Sequence, residues 1–533
     1  MLGIATDFGI FLQPNYIILM NSYYFTEEHE TFRSGLKQFL DKEVKPNIDE
    51  WEEKGQIPKA IWKKFGDMGY LGLNYPEQYG GSSVDFWYTV VFMEEISKMH
   101  SGGFSITAAV QQYMSSPYIN KYGSDFLKEK YLKPAISGEL ICSIGISEPG
   151  AGSDVANIQT KAIREGDYYI VNGAKTFITN GFYGDFVVAV VKTNPEAGTG
   201  GVSLLVIDLD SPGISRRKLK KLGWHSSDTA ELNFDDVKVP IANRIGEEGQ
   251  GFYYLMGGLQ LERLVGSIMG YSSCENILEY SVKYMGERKA FGRTIDKFQV
   301  LRHRVAQLAT EIEACKQFVY YVCRLHADGK FAVKECSMTK LLATELADKV
   351  MYQCVQFFGG YGYMEEYKVA RGFRDARIGT IGGGTSEIMR EIIAKMVIDD
   401  VNYNTPNLHS ETNNSAKQQV VVQDPKPTTA KGILLGLSSR LKAEKAANFS
   451  GNFHFDISGP NGGKFTVMLQ NGTCEVSEGL FGEPKCITEV EDEVYLAVET
   501  GKMNPQEALM TGKLKVSNIM EMMQFGGLFR RLN

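Results

Sequence analysis

At 533 residues the chain is too long for one hydrophobic core, and 43% hydrophobic with 23% charged residues is the composition of an ordinary globular protein. A formal net charge of −7 without a block of basic residues argues against nucleic acid as the main partner. The lack of any C-x-x-C pair or H-E-x-x-H argues against a structural zinc site and zincin chemistry, so no metal is expected.

In chain order, residues 1–24 hold two short apolar patches, 8–12 and 16–20, split by Gln13-Pro14-Asn15 and free of Lys and Arg. This is neither a signal-peptide start nor an Arg-rich transit pattern, so no targeting signal is recognisable there. No apolar run is long enough to span a bilayer, and the end, Arg531-Leu-Asn, is not Ser-Lys-Leu. Residues 25–142 read as helices. Thr26 is a good N-cap, and Phe32, Leu36, Phe39, Leu40 and Val44 follow at helical spacing, with later helical runs around 90–99 and 126–136. Residues 143–250 change character: runs at 168–171, 186–191 and 202–209 are β-rich and separated by Gly, Asn, Asp and Pro, which predicts a middle β-domain. Helical periodicity returns over 251–400, with stretches at 302–328 and 337–358 long enough for an antiparallel bundle. Cys315, Cys323 and Cys354 fall inside these apolar patterns, as small reduced core residues of an intracellular protein do.

Residues 401–430 are polar and irregular and read as a linker. A further domain is expected over 431–533. It begins with an amphipathic helix at 432–447. Phe453, Phe455 and Ile457 then alternate with polar residues, and Pro460-Asn-Gly-Gly turns the chain into Phe465, Val467 and Leu469. The run 494–498 reads as another strand, and 518–532 as a last helix carrying Ile519, Met522, Met523, Phe525 and Phe529. The fold class is multidomain α+β.

Four segments could carry chemistry. Ser147-Glu-Pro-Gly-Ala-Gly-Ser-Asp154 offers small residues, hydroxyls and uncovered N–H groups to a planar ring or a pyrophosphate, although a plain strand-to-loop connection uses the same residues. Lys175-Thr-Phe-Ile-Thr-Asn-Gly181 adds an aromatic residue and a Thr at a strand end. Two glycine-rich turns, at 356–362 and 381–387, suit a phosphate, a flavin edge or a thioester oxygen, or simply connect core helices tightly. The G-x-G-x-x-G fingerprint is missing, which argues against a nicotinamide Rossmann site. Glu262 stands in an apolar helical stretch with Gly258 and Gly266 at i−4 and i+4 and no cation at i±3 or i±4. Burial there would raise its basicity; the plain alternative is a solvent-exposed helical Glu.

These segments, with Asp228-Thr-Ala-Glu-Leu, Glu262-Arg263, Glu287-Arg-Lys-Ala-Phe-Gly-Arg293 and Arg374-Asp-Ala-Arg, make residues 25–400 resemble the acyl-CoA dehydrogenases. The resemblance implies an N-terminal α-helical domain, a β-barrel-like middle domain and a C-terminal four-helix bundle that bind FAD. It implies that Ile144, Gly145, Ile146, Ser147, Gly152, Ser153, Phe177, Ile178 and Thr179 hold the isoalloxazine ring, Phe177 standing where many members place Trp. Arg288, Phe291 and Gln299 would contact the FAD of a neighbouring subunit. Gln356, Phe357, Phe358, Gly359 and Gly360 would meet the adenosine pyrophosphate, and Thr385, Ser386 and Glu387 would make the last flavin contacts. A cofactor site completed across an interface implies a homo-oligomer; the resemblance points to a tetramer, with a dimer left open. Substrate would meet Ser153, Gln260, Arg263, Gly383 and Gly384.

Gly383 occupies the position where the family commonly carries its catalytic Glu, in a Tyr-Glu-Gly-Thr turn. The Leu-Glu-Arg-Leu-Val context of Glu262 resembles the long-chain and isovaleryl branches, which place the base on this helix and Gly in the later turn. Glu262 is therefore the expected base. The backbone N–H at Gly383 can still donate to the thioester oxygen. Asp375 and Glu387 are rival carboxylates, the first reading as a salt-bridged structural residue; Arg263 reads as a site-shaping charge.

Met503-Asn-Pro-Gln-Glu-Ala and Thr511-Gly-Lys-Leu-Lys-Val resemble the sterol carrier protein 2 domain over 431–533. Its Met- and Phe-rich last helix would hold a lipid or acyl-CoA, or else close an ordinary core. Together the resemblances imply dehydrogenation of an acyl-CoA, long-chain or branched, to a trans-2-enoyl-CoA, with electrons passing to an electron-transfer flavoprotein. An acyl-CoA oxidase using oxygen, or a lipid-transfer protein with an inactive dehydrogenase half, are the alternatives. The compartment stays open between mitochondrial matrix and peroxisome.

Overall fold

A computed structural model describes residues 23–403 and 429–529, apart from 443–445, 447, 448, 471, 501 and 504. The leader readings on residues 1–22 and nearly all of the expected linker lie outside the described residues. The chain divides into two compact units at residue 410.

In the first unit, α1 (Glu27–Phe39) starts where the side chain of Thr26 accepts from the His29 backbone N–H. The His29 ring returns the favour by accepting from the Thr26 N–H, a capping box with His in the usual Glu position. The other ring nitrogen meets Asp85, which itself caps α2 (Phe86–Ser97) by accepting from the Trp87 N–H. Helix α2 is buried almost all round. A π-helical turn, Val110–Ser115, then runs into α3 (Ser116–Tyr122). Pro117 sits in the first turn of α3, where its missing N–H has no helical partner to lose.

Eight strands follow: β1 (Cys142–Gly145), β2 (Lys161–Glu165), β3 (Tyr168–Thr179), β4 (Phe186–Lys192), β5 (Val202–Asp208), β6 (Ile214–Lys218), β7 (Thr229–Pro240) and β8 (Arg244–Ile245). The order is β6-β7-β3-β2-β4-β5-β8, with β1 alongside β4 in parallel. Strand β4 is an unbroken apolar run because both its faces are covered. Phe186, Val188 and Val190 enter one core with Tyr131 and Leu204, while Val187, Ala189 and Val191 enter another with Tyr169 and Leu232.

Helix α4 (Gly251–Glu287) spans about 55 Å at 1.5 Å per residue. With α5 (Gln299–Ala327), α6 (Val333–Phe358) and α8 (Ser386–Val397) it forms the bundle; α7 (Lys368–Ala376) packs against α6. Glu94 of α2 joins the helical domain to this bundle by accepting from Arg33, Tyr271 and Tyr320. Between α4 and α5 lies a small hairpin, β9 (Lys289–Ala290) and β10 (Arg293–Thr294). Its two turn residues, Phe291 and Gly292, both take positive φ (+50° and +79°), as a type I′ turn requires. Glycine does so freely; Phe291 does so at a steric cost, with its ring 95% exposed.

The second unit is a five-stranded sheet, β13-β12-β11-β14-β15, in which β11 (Gly451–Ser458) pairs antiparallel with β12 (Gly463–Gln470) and parallel with β14 (Pro484–Glu491). The outer strands are β13 (Thr473–Glu478) and β15 (Leu514–Val516). Its core gathers Phe453, Phe455, Phe465, Val467 and Phe525. Two expectations fail here. Of the helix predicted over 432–447, the stretch up to 442 is two short helices, α9 (Ala430–Leu435) and α10 (Leu437–Arg440), because the first stops at Gly436; most of the rest lies outside the described residues. The run 494–498 is not a strand but part of α11 (Asp492–Glu499): Asp492 and Glu493 in the first turn complement the helix dipole, and α11 packs on α9. The last helix, α12, covers Ile519–Gly527.

All eight cysteines are free thiols, and seven are buried. No helix among the described residues is long and apolar enough to cross a membrane.

Candidate active site

Glu262 lies on α4 and is 8% exposed. Burial pushes its carboxyl up to about 7; a hydrogen bond from Tyr118 and the charge of Arg263 act the other way without cancelling the shift. The Tyr118 hydroxyl donates to Glu262 Oε1 at 3.0 Å. The side-chain-free strip expected around Glu262 has two different halves. At Gly258 a Cβ would sit 2.2 Å from the Tyr118 hydroxyl, so that half is filled by the tyrosine; at Gly266 nothing lies within 4 Å.

Arg263 turns toward α6, where Nη1 reaches Ser337 Oγ at 3.5 Å. Lys340, also on α6, is buried and donates to the Gly384 carbonyl. Burial, then the neighbouring Arg263 charge, brings Lys340 down to about 8. The turn it holds is doubly left-handed, with φ of +64° at Gly383 and +92° at Gly384. A Cβ at Gly384 would press on Met389 at 2.7 Å, whereas one at Gly383 meets nothing within 4 Å. Three buried polar atoms on these elements have no partner among the described residues: Gln260 Oε1, Arg263 Nε and Ser386 Oγ. Such atoms call for a further group that satisfies them.

A second constellation lies at the end of β1. Lys175 is fully buried and donates to Glu148 Oε1 at 2.7 Å and to the Ile146 carbonyl at 3.2 Å. Glu148 also accepts from the N–H groups of Gln159 and Thr160. Burial pushes the Glu148 carboxyl up, but Lys175 and these donors outweigh it and hold it below the usual range; burial brings Lys175 down to about 8. Both are charged at neutral pH. The pair bolts the end of β1 (Ile144, Gly145) and the Ile146-Ser147 segment after it to β3, with Thr176 N–H donating to the Ser147 carbonyl. Just beyond, Phe177 takes φ +62° and is 72% exposed, between the bolted Lys175 and buried Ile178 and ahead of Thr179. Gly152 has open space where a Cβ would be, and Ser153 beside it is exposed.

Arg288 shares one open groove with Gln356, Phe357, Phe358, Gly359 and Gly360. On its floor Phe358 stacks on Tyr284 with ring centroids 3.9 Å apart. Gly359 takes φ +58° with nothing near its Cβ position. Thr385, Ser386 and Glu387 line a separate groove with Arg377. Phe291 and Gln299 are not brought to either groove and lie exposed on this chain.

Comparison with known proteins decides the family. Models of the acyl-CoA dehydrogenase N-terminal, middle and C-terminal domains match residues 26–139, 143–237 and 249–398. The mitochondrial long-chain specific acyl-CoA dehydrogenase of Mus musculus is 41% identical over 70% of this chain and 88% of its own length. The chain belongs to the acyl-CoA dehydrogenase family. The mitochondrial isovaleryl-CoA dehydrogenase of Pongo abelii is 36% identical over 69% of the chain and 88% of its own. A solved acyl-CoA dehydrogenase from Geobacillus kaustophilus superposes with a TM-score of 0.69 at 46% identity, covering 70% of this chain and 99% of its own. The SCP-2 sterol transfer family model matches residues 433–530.

For an acyl-CoA dehydrogenase, the residues present fit a dinucleotide flavin. Bare glycine backbone and an arginine share one groove, an exposed aromatic sits at a bolted strand end, and a buried Ser386 hydroxyl lacks a partner. Of the rival carboxylates, Glu387 is an exposed residue in the first turn of α8. Asp375 corrects its expected reading: it is structural but not salt-bridged. It accepts from the N–H groups of Gly102 (2.9 Å) and Trp224 (2.6 Å), while Arg371 pairs with Asp49 and Arg374 with Glu365. Burial and nearby Glu52 raise its carboxyl to about 6. Sequence reasoning missed Tyr118, Lys340 and the Lys175–Glu148 pair. Only the pair, 27 residues apart within two motifs already singled out, left a trace that could have been followed.

Proposed function

We propose that this chain is an FAD-dependent acyl-CoA dehydrogenase in which Glu262 removes the α-proton of a fatty acyl thioester, yielding a trans-2-enoyl-CoA. One observation carries the reading: a buried carboxyl raised to about 7, on the helix that the sequence marks, while the later turn has Gly383 and no side chain at all. A carboxylate of that basicity is ionised at slightly alkaline pH and takes a proton from carbon far more readily than a solvated one. The Gly383-Gly384 turn, held by Lys340, would present its N–H groups to the thioester oxygen and stabilise the developing enolate. FAD held by this chain would supply the two-electron acceptor for the β-hydride, with an electron-transfer flavoprotein as the onward partner.

Arg288 and residues 356–360 would hold the pyrophosphate, the 144–153 and 177–179 segments the ring, and Thr385, Ser386 and Glu387 the last polar contacts. Ser153, Gln260 and Arg263 would line the substrate side. Phe291 and Gln299, exposed on one chain, would meet the cofactor of another, which supports a homotetramer. The mitochondrial relatives support a matrix location, and the SCP-2 match supports a fused domain that holds a lipid or acyl-CoA. Glu262→Gln tests the assignment. It keeps the shape, so flavin and acyl-CoA still bind, while turnover falls by about two or more orders of magnitude. Near-normal turnover would refute it. Anaerobic flavin bleaching with straight and branched acyl-CoAs then ranks the substrates.

A further inference from the structure

We propose that Tyr118 is the positioning residue of the base: its hydroxyl holds one oxygen of the Glu262 carboxylate and leaves the other to take the substrate proton. This rests on the reading of Glu262 as the base, and three separate features of the chain support it.

The contact is short and closed off. Tyr118 is 2% exposed, and its hydroxyl meets Glu262 Oε1 at 3.0 Å. Helix α4 is built to admit it. At Gly258 a Cβ would lie 2.2 Å from the Tyr118 hydroxyl and 2.5 Å from Cζ, so no other residue type leaves the ring where it is. The approach from the other side is shaped as well. The π-helical turn Val110–Ser115 takes in one extra residue, which rotates whatever follows by roughly 100° about the helix axis. Pro117 then stands second in α3, with Tyr118 as the next residue.

The chemistry is one-directional. Burial, with Glu262 beside it, raises the Tyr118 phenol well above its ordinary range, so Tyr118 stays a donor at any working pH. A donor favours the carboxylate over the carboxylic acid and so opposes the burial that raises Glu262. The other charge acting on the carboxyl is Arg263, which faces Ser337 and Lys340 on α6; Tyr122 acts on Tyr118 from the end of α3. Glu262 is thus tuned from both sides: made basic by burial, kept ionisable and aimed by one phenol.

Tyr118→Phe in the full flavoprotein keeps the ring and removes the donor. The acidic limb of kcat/KM should move up by about one pH unit. Well below the limb the rate then falls about tenfold, while the alkaline plateau changes by less than about threefold. A second readout needs no turnover. The carboxylic acid stretch of Glu262, assigned by its loss in Glu262→Gln, should titrate about one unit higher in Tyr118→Phe. Gly258→Ala, which displaces the ring by a different route, should move both readouts the same way. A uniformly lowered rate with limb and band unmoved in both variants overturns the proposal and leaves Tyr118 as packing. An inert Glu262→Gln alongside that result keeps the base and discards only Tyr118; an active Glu262→Gln discards both.

Discussion

Burying a base against its will has a thermodynamic signature apart from catalysis. Glu262 moves from 4.5 to about 7 on folding, some 2.5 units, equivalent to about 3 kcal/mol at 1.36 kcal/mol per unit. The sign follows from proton binding. Between pH 4.5 and about 7 the folded chain holds a proton that the unfolded chain has released. Stability from this group is therefore complete below 4.5 and is lost as pH rises through about 7. Gln carries no charge to desolvate and still accepts from Tyr118. Glu262→Gln should therefore be more stable than the parent by up to about 3 kcal/mol at pH 8, and by less than about 1 kcal/mol at pH 5. Tryptophan fluorescence during urea unfolding is a suitable assay, because Trp51, Trp62, Trp87 and Trp224 all belong to the first unit. Flavin content must be matched between samples. Other groups titrate in both proteins and cancel in the difference. A variant no more stable than the parent at pH 8, or a gap of equal size at both pH values, would refute the reasoning.

Lys175→Met strands the buried Glu148 carboxylate and should cost about 3–5 kcal/mol in melting experiments while lowering the flavin-to-protein ratio. Adding Glu148→Gln should recover much of that loss; an additive double variant would contradict the coupling. Arg288→Ala removes a charge-assisted donor from the groove at 356–360, so flavin retention should fall and the flavin-free oligomer should loosen by light scattering. Unchanged values of both would argue against a cofactor role. Truncation after Asp400 should leave short-chain kinetics intact and raise the apparent KM for long-chain substrates; equal kinetics at both lengths would reject delivery by the last domain.

What could be read in the sequence was local. Thr26 and the spacing of Leu36 and Leu40 foretell α1, and the apolar period resuming at Gly251 marks the start of α4. The burial of Glu262 was legible because Gly258 and Gly266 stand one turn to either side. The occupant of the Gly258 gap was not, since Tyr118 comes from 144 residues away and no spacing rule links them. The π-helical turn that aims it has no composition of its own. Asp375 misled because alternating charges suggest ion pairs within the run, whereas packing sends Arg374 to Glu365 and Arg377 to the Thr380 hydroxyl. Val494, Tyr495 and Val498 favour a strand by type, but contact with α9 and the acids before them decide for a helix.

The buried thiols give this chain a clock for its own unfolding. Burial pushes Cys142, Cys315, Cys336 and Cys354 up to about 12 and Cys474 up to about 11, with Cys274 and Cys323 well above their usual value. The thiolate is what alkylating reagents attack, so at pH 8 the six buried ones in the first unit offer almost none until the backbone around them opens, whereas Cys474 is only half-buried. Six cysteines lie in the first unit and two in the second. A brief iodoacetamide pulse along a denaturant gradient, read peptide by peptide in a mass spectrometer, therefore dates the opening of the first unit through these six and of the second through buried Cys486, without a single engineered label.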